Sequence, residues 1–229
     1  MEFSDIDDRV AEVRGRIAAA VARGGHGQDV RVIAVTKTHG KEAVEAAWAA
    51  GVRDVGENKV QEALDKQPLV RGEATAMRWH LIGHLQRNKV RYLGNFALLH
   101  ALDSARLADA VHTFGERRDA PVDALMQVNV TAEDTKGGYQ PSDVEKEALR
   151  LRSLTGVRVC GVMTMAPLGA DEALTRRVFS AARAARDVLM RCGHAAREVS
   201  MGMSADYVVA VEEGATMVRL GTVLFGARA

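Results

Sequence analysis

The sequence predicts an α/β fold, a single (β/α)8 barrel of the TIM type with an extra helix before its first strand. Three observations carry that expectation. Eight short β-rich runs alternate with helical stretches, the arrangement of parallel strands joined by crossovers, and eight such units are what closes a barrel. Several of the runs are apolar at nearly every residue, as strands covered on both faces are. The 229 residues also fall within the range that one such barrel fills. An open doubly wound sheet is the alternative, and its dinucleotide-binding version is weakened because no GxGxxG follows the first run.

The first helix is expected over residues 5–23, where Ile6, Val10, Val13, Ile17 and Val21 recur at spacings of three and four and keep one face buried. Gly24-Gly25 then stops it. The β-rich runs follow at 31–37 (RVIAVTK), 52–57 (VRDVGE), 78–83 (RWHLIG) and 98–102 (LLHAL). They continue at 124–130 (ALMQVNV), 157–163 (VRVCGVM), 198–201 (EVSM) and 217–220 (MVRL). Helical segments are expected between them at 41–50, 58–66, 104–115, 142–154, 171–192 and 205–213. The basic stretch 87–91 (RNKVR) reads as a solvated helix start, and 137–139 (GGY) as a flexible loop with Lys136 exposed beside it. Four prolines and no low-complexity linker leave one domain over 1–229.

Composition narrows the function class. Thirty-one basic residues stand against thirty acidic ones, a net charge of +1, which predicts neither nucleic-acid nor membrane binding but leaves room for a local basic pocket for one phosphate. Cys160 and Cys192 have no CxxC or zinc-like spacing and read as structural thiols of a reducing compartment. The acidic, amphipathic N-terminus lacks the layout of a signal peptide, and no run of about 18 apolar residues occurs, so a cytoplasmic protein is expected.

Functional groups of a parallel barrel collect at the carboxyl ends of its strands. Lys37 closes the first run, where desolvation would lower its pKa and supply the neutral amine that a Schiff base with an aldehyde requires. The plainer reading is a lysine reaching out of a strand end to solvent. After the seventh run, Ser204 is placed to cap the following helix, whose N–H groups suit an anion such as phosphate. Gly221-Thr222 after the eighth run offers a close backbone approach and a hydroxyl, and barrels often bind phosphate on these two loops. Ordinary capping and a plain turn are the alternatives. Arg219 lies inside the apolar run MVRLGTVLF and needs a partner, either a carboxylate such as Glu57 or an acceptor on a bound ring. Asn58 either caps the second helix or touches a ligand, and His84 is a weaker candidate still. His80 and His84 straddle a strand end without a third ligand, so no metal site is expected.

The blocks VIAVTKTH, GENKVQEALDK, WHLIGHLQRNKVR, GVMTM and above all SMGMSADY followed by GATMVRLGTVLFGAR resemble the pyridoxal phosphate homeostasis protein family, related to the N-terminal barrel of alanine racemase. The matching blocks run from Arg31 to Arg228. The resemblance implies a barrel of the alanine racemase N-terminal type with pyridoxal 5′-phosphate (PLP) as its cofactor, held as a Schiff base on Lys37. It implies phosphate-holding positions at Ser204 and Gly221-Thr222, Arg219 facing the pyridine nitrogen, and Asn58 and His84 lining the pocket.

The family is described as acting in intracellular PLP homeostasis without clear turnover, which makes a PLP carrier the leading expectation. Apo PLP-dependent enzymes are its candidate recipients. A permanently charged arginine at the ring nitrogen would weaken the ring as an electron sink. Two-base racemisation needs an acid/base group on each face of the substrate carbon, and Tyr92, Tyr139 and Tyr207 have no evident claim on the second. A weak PLP enzyme such as a racemase, and an aldolase-type barrel using Lys37 without the cofactor, remain the alternatives. Without a second domain to build the racemase dimer, a monomer is expected.

Overall fold

Ile6, Val10, Val13, Ile17 and Ala20 form the buried stripe that makes α1 (Ile6–Gly24) a helix, and Gly25 caps it in the left-handed conformation with its N–H on the Val21 carbonyl. This is a computed structural model, and it describes residues 3–131 and 137–226. Lys136 and Arg228 lie outside the described residues.

Eight parallel strands then close in sequence order, as expected: β1 (Arg31–Val35), β2 (Asp54–Glu57), β3 (Arg78–Leu81), β4 (Leu98–Leu102), β5 (Val122–Gln127), β6 (Val157–Met163), β7 (Glu198–Ser200) and β8 (Met217–Leu220). Closure comes from β8 against β1, with Ile33 opposite Arg219 and Ala34 opposite Leu220. The crossovers carry α2 (Lys41–Ala49), α3 (Val60–Lys66), α4 (Ala105–Arg117), α5 (Val144–Leu151), α6 (Glu172–Arg191) and α7 (Tyr207–Glu212). The chain is braced from outside by α1, where Arg9 donates to the Leu224 carbonyl and Arg23 pairs with Glu212.

Several expectations need correction. β1 stops at Val35, so Thr36 and Lys37 sit just beyond the strand. β5 ends at Gln127 because the 137–139 segment returns to it. Tyr139 donates its N–H to Gln127 and accepts from Asn129, and its ring is buried, so this stretch is tied down. The 87–91 stretch opens a 3-10 segment, Arg87–Asn95, that buries Val90 and Leu93. Gly221-Thr222 is no plain turn, since it opens a short helix, α8 (Thr222–Phe225).

The main core lies between the strands and the helices. A smaller cluster inside the barrel holds Ile33, Leu98, Leu125, Met163 and Met217. The rest of the interior is more polar than the apolar runs suggested, with Asp54, His80, His100, Ser200 and Arg219 all buried.

Gly202, at the exit of β7, has φ +90° and accepts the Arg219 N–H on its carbonyl, and a Cβ there would fall 2.6 Å from the Ala210 Cβ. Gly202→Ala should therefore cost about 2–4 kcal/mol, from strain at positive φ and overlap with α7. Urea denaturation checks it, and an unchanged midpoint would show that the turn tolerates a side chain.

Candidate functional site: a cavity at the strand C-termini

All seven residues singled out in the sequence line one cavity of about 750 Å³ at the carboxyl ends of the strands: Lys37, Asn58, His84, Ser204, Arg219, Gly221 and Thr222. The wall also holds Ile82, Met165 and Met203 as its apolar part, with Asp103, Gln127 and Gly137. Sequence reasoning missed Asp103 and Gln127, although each sits at a strand end, after β4 and at the end of β5, where the same rule would have found it.

Lys37 stands on a fixed platform. The Thr36 hydroxyl donates to Glu57 Oε1 (2.6 Å), and Lys66 Nζ donates to that same oxygen (2.5 Å) and to the Thr36 carbonyl (2.9 Å). On the other side, Thr38 has φ +69° and its N–H is held by the Glu62 carboxylate. Glu57 and Lys66 are 0% and 6% exposed, so this ion pair is shielded from solvent. Burial pushes the Glu57 carboxyl above its usual range, although Lys66 and Thr36 oppose the shift.

Glu57 is thus not the partner of Arg219. That guanidinium is 4% exposed, donates to Ser200 Oγ (2.6 Å) and the Thr164 carbonyl (3.0 Å), and makes no ion pair among the described residues. Burial pulls its pKa down to about 10, so it remains a cation at neutral pH. Ser204 does not cap α7 either. Asp206 is at that cap position, and its carboxylate takes the Met203 N–H. Ser204 Oγ instead accepts from the N–H groups of Gly221 and Val223, both at 3.3 Å, at the start of α8. Those are long bonds for N–H donors.

Asn58 is in the wall rather than capping α3, whose cap position is Lys59. It lies against Gly83, where a Cβ would meet the Asn58 carbonyl oxygen at 2.3 Å. The two histidines part company. His84 Nδ1 meets Asp103 Oδ2 at 2.6 Å with its side chain 70% exposed, whereas His80 is buried within the barrel. No cluster of metal-ligating residues occurs among the described residues, and none of the tyrosines lines the cavity.

Comparison with known proteins places these features in a family. The model of the alanine racemase N-terminal domain matches residues 11–229. The chain is 38% identical to the pyridoxal phosphate homeostasis protein of Aquifex aeolicus, over 96% of this chain and 97% of that one. It is 35% identical to the protein of the same name from Escherichia coli K12, over 99% and 98%. The structure of PipY from Synechococcus elongatus with PLP bound superposes with a TM-score of 0.84 at 36% identity, over 96% of this chain and all of that one. Alanine racemase from Corynebacterium glutamicum shares the fold, with a TM-score of 0.73 at 15% identity, over 99% of this chain and 62% of that one.

A carboxyl whose folded pKa lies above its unfolded value loses stability as pH rises between the two. Lys66→Met leaves Glu57 without its cation, which should raise that folded pKa further. The variant should lose about 3–5 kcal/mol at pH 8, and clearly less at pH 5, where Glu57 takes up a proton. Urea melts at the two pH values decide it, and a pH-independent loss would contradict the ion-pair account.

Proposed function

We propose, because the chain belongs to the pyridoxal phosphate homeostasis protein family within the alanine racemase N-terminal domain group, that it binds PLP in this cavity, anchors it on Lys37 and serves in its intracellular homeostasis. The observation that carries the reading is the donor set on one wall: an amine, a buried guanidinium without an ion pair among the described residues, and backbone N–H groups beside a serine hydroxyl.

That set fits the cofactor's chemistry. When bound, PLP supplies an aldehyde for a lysine amine, a phosphate dianion and a pyridine ring that can withdraw electrons. Lys37 is the anchor. Ser204, Gly221 and Thr222 hold the phosphate, and the long 3.3 Å bonds to Ser204 are ones that the Gly221 and Val223 N–H groups can redirect to an anion. Arg219 meets the ring nitrogen with a donor that keeps its proton, which favours storage over electron withdrawal. Asn58 and His84 line the pocket.

In this role the protein is a non-catalytic monomer of the cytoplasm, one barrel domain over 1–229, with apo PLP-dependent enzymes as recipients. A second reading, a weak PLP enzyme such as an amino-acid racemase, draws on His84, which Asp103 orients at the cavity wall as a carboxylate orients a general base. Incubation with α-deuterated amino acids separates the two: the carrier retains the deuteron and the enzyme loses it.

Borohydride reduction of the PLP-loaded protein followed by peptide mapping should place the label on Lys37. Lys37→Ala should abolish the label with a melting temperature close to wild type, because the half-buried side chain adds little to the core. A label elsewhere, or a melted variant, would contradict the assignment. Ser204→Ala removes one phosphate ligand worth about 1–1.5 kcal/mol, so the PLP Kd should rise about tenfold while labelling at Lys37 persists. An unchanged Kd would remove Ser204 from the phosphate site.

A further inference from the structure

The buried polar groups inside the barrel join into one chain that ends at the cavity. Arg78 donates to Asp54 Oδ2 at 2.7 Å, and Asp54 Oδ1 meets His80 Nε2 at 2.8 Å. His80 Nδ1 meets His100 Nε2 at 2.9 Å, and His100 Nδ1 meets Ser200 Oγ at 2.9 Å. Ser200 Oγ in turn accepts from Arg219 Nη1 at 2.6 Å. β4 and β7 are not neighbours in the closed sheet, so the His100–Ser200 bond crosses the barrel axis. The five residues from Asp54 to Arg219 are at most 4% exposed, while Arg78 is half exposed at the other end.

The two ends of this chain determine its protons. Arg219 only donates, so Ser200 Oγ accepts from it. Asp54, held ionised by the bonds from His80 and Arg78 against the cost of burial, only accepts, so His80 Nε2 carries a proton. His100 is kept neutral by burial and by His80, Arg219 and Arg31 around it. Ser200 Oγ, which accepts from Arg219, gives its own proton to His100 Nδ1, and the neutral His100 then donates its Nε2–H to His80 Nδ1. Every donor between Arg219 and Asp54 then points from the cavity towards Asp54. The reverse order would place two donors on Ser200 Oγ and leave its own proton without that acceptor.

We propose that Asp54 is a positioning residue for the cavity: through the tautomers of His80 and His100 it commits the Ser200 proton away from Arg219 and so fixes the guanidinium on the cavity wall. The relay stands on its own geometry. Only its consequence for the cofactor rests on the function proposed above.

The test begins with the wild-type protein free of PLP. Two-bond proton–nitrogen spectra of ¹⁵N-histidine-labelled protein should show His80 and His100 as neutral Nε2–H tautomers. In Asp54→Asn the amide oxygen stays on Arg78 and its N–H faces His80, so both rings should switch to Nδ1–H. The PLP Kd of this variant should rise about threefold to thirtyfold, the range of coupling through packed contacts. A wild-type His100 that is charged or protonated on Nδ1 overturns the relay, whether or not the variant folds. A folded Asp54→Asn protein with His100 unchanged, or with switched tautomers and wild-type affinity, overturns the positioning role. Should the wild type bind no PLP, the functional reading fails while the tautomers still decide the relay.

Discussion

The pairing of β8 with β1 is the contact on which the site depends. It sets Ile33 against Arg219 and Ala34 against Leu220, so the chain leaving β1 towards Lys37 runs beside the chain leaving β8 towards Gly221 and Thr222. A Cβ on Gly221 would lie 3.6 Å from Val35, an ordinary contact distance, so the two exits touch without strain. Groups almost two hundred residues apart in sequence thereby share one wall. Such closure is a non-local contact whose loop entropy must be met by packing. α1 helps to meet it from outside, where its Arg9 and Arg23 bond to α8 and α7 and Gln28 donates to the Val211 carbonyl.

Closure also decides what the interior must tolerate. A guanidinium on an inward position of β8 is almost wholly buried, and among the described residues no carboxylate pairs with it. Its charge is instead spread onto neutral acceptors, Ser200 Oγ and the Thr164 carbonyl, with Asp54 and its own partner Arg78 at the far end of the hydrogen-bonded chain. Buried networks of this kind stabilise only when every member is satisfied. Asp54, His80, His100, Ser200 and Arg219 are all buried, which strengthens each bond in the chain and raises the cost of breaking any one.

The alternation of runs made the barrel legible, since eight strands with near-continuous apolar character have few other ways to be covered. The cavity was legible too, because a polar residue ending an apolar run announces a strand C-terminus. Partnerships were not. Glu57 looked like a counter-ion for Arg219, but its carboxylate belongs to Lys66, nine residues on, a helical return that spacing alone does not distinguish from a contact across the barrel. Ser204 was legible as a capping residue, yet it serves α8 rather than α7, because α8 was itself hidden behind what read as a turn. His80 and His100 stand singly in RWHL and LLHAL, and period-two alternation aims them inward. That pattern carries nothing about Ser200, which lies across the axis on a strand that neither histidine's strand adjoins.

The platform under Lys37 shows why a buried ion pair is used where apolar packing would be cheaper. Packing is non-directional, whereas Lys66 and Glu57 grip the Thr36 carbonyl and hydroxyl and Glu62 grips the Thr38 N–H, fixing the backbone on both sides of Lys37. Ordering this backbone during folding removes that entropy cost from binding. The anion cradle beside it is built differently, with two 3.3 Å bonds to a half-buried serine at the start of a four-residue helix. A rigid anchor beside an adaptable anion cradle suits a ligand that must be held in one orientation and still be released. An enzyme gains most from the reverse emphasis, with rigid donors where charge develops in the transition state.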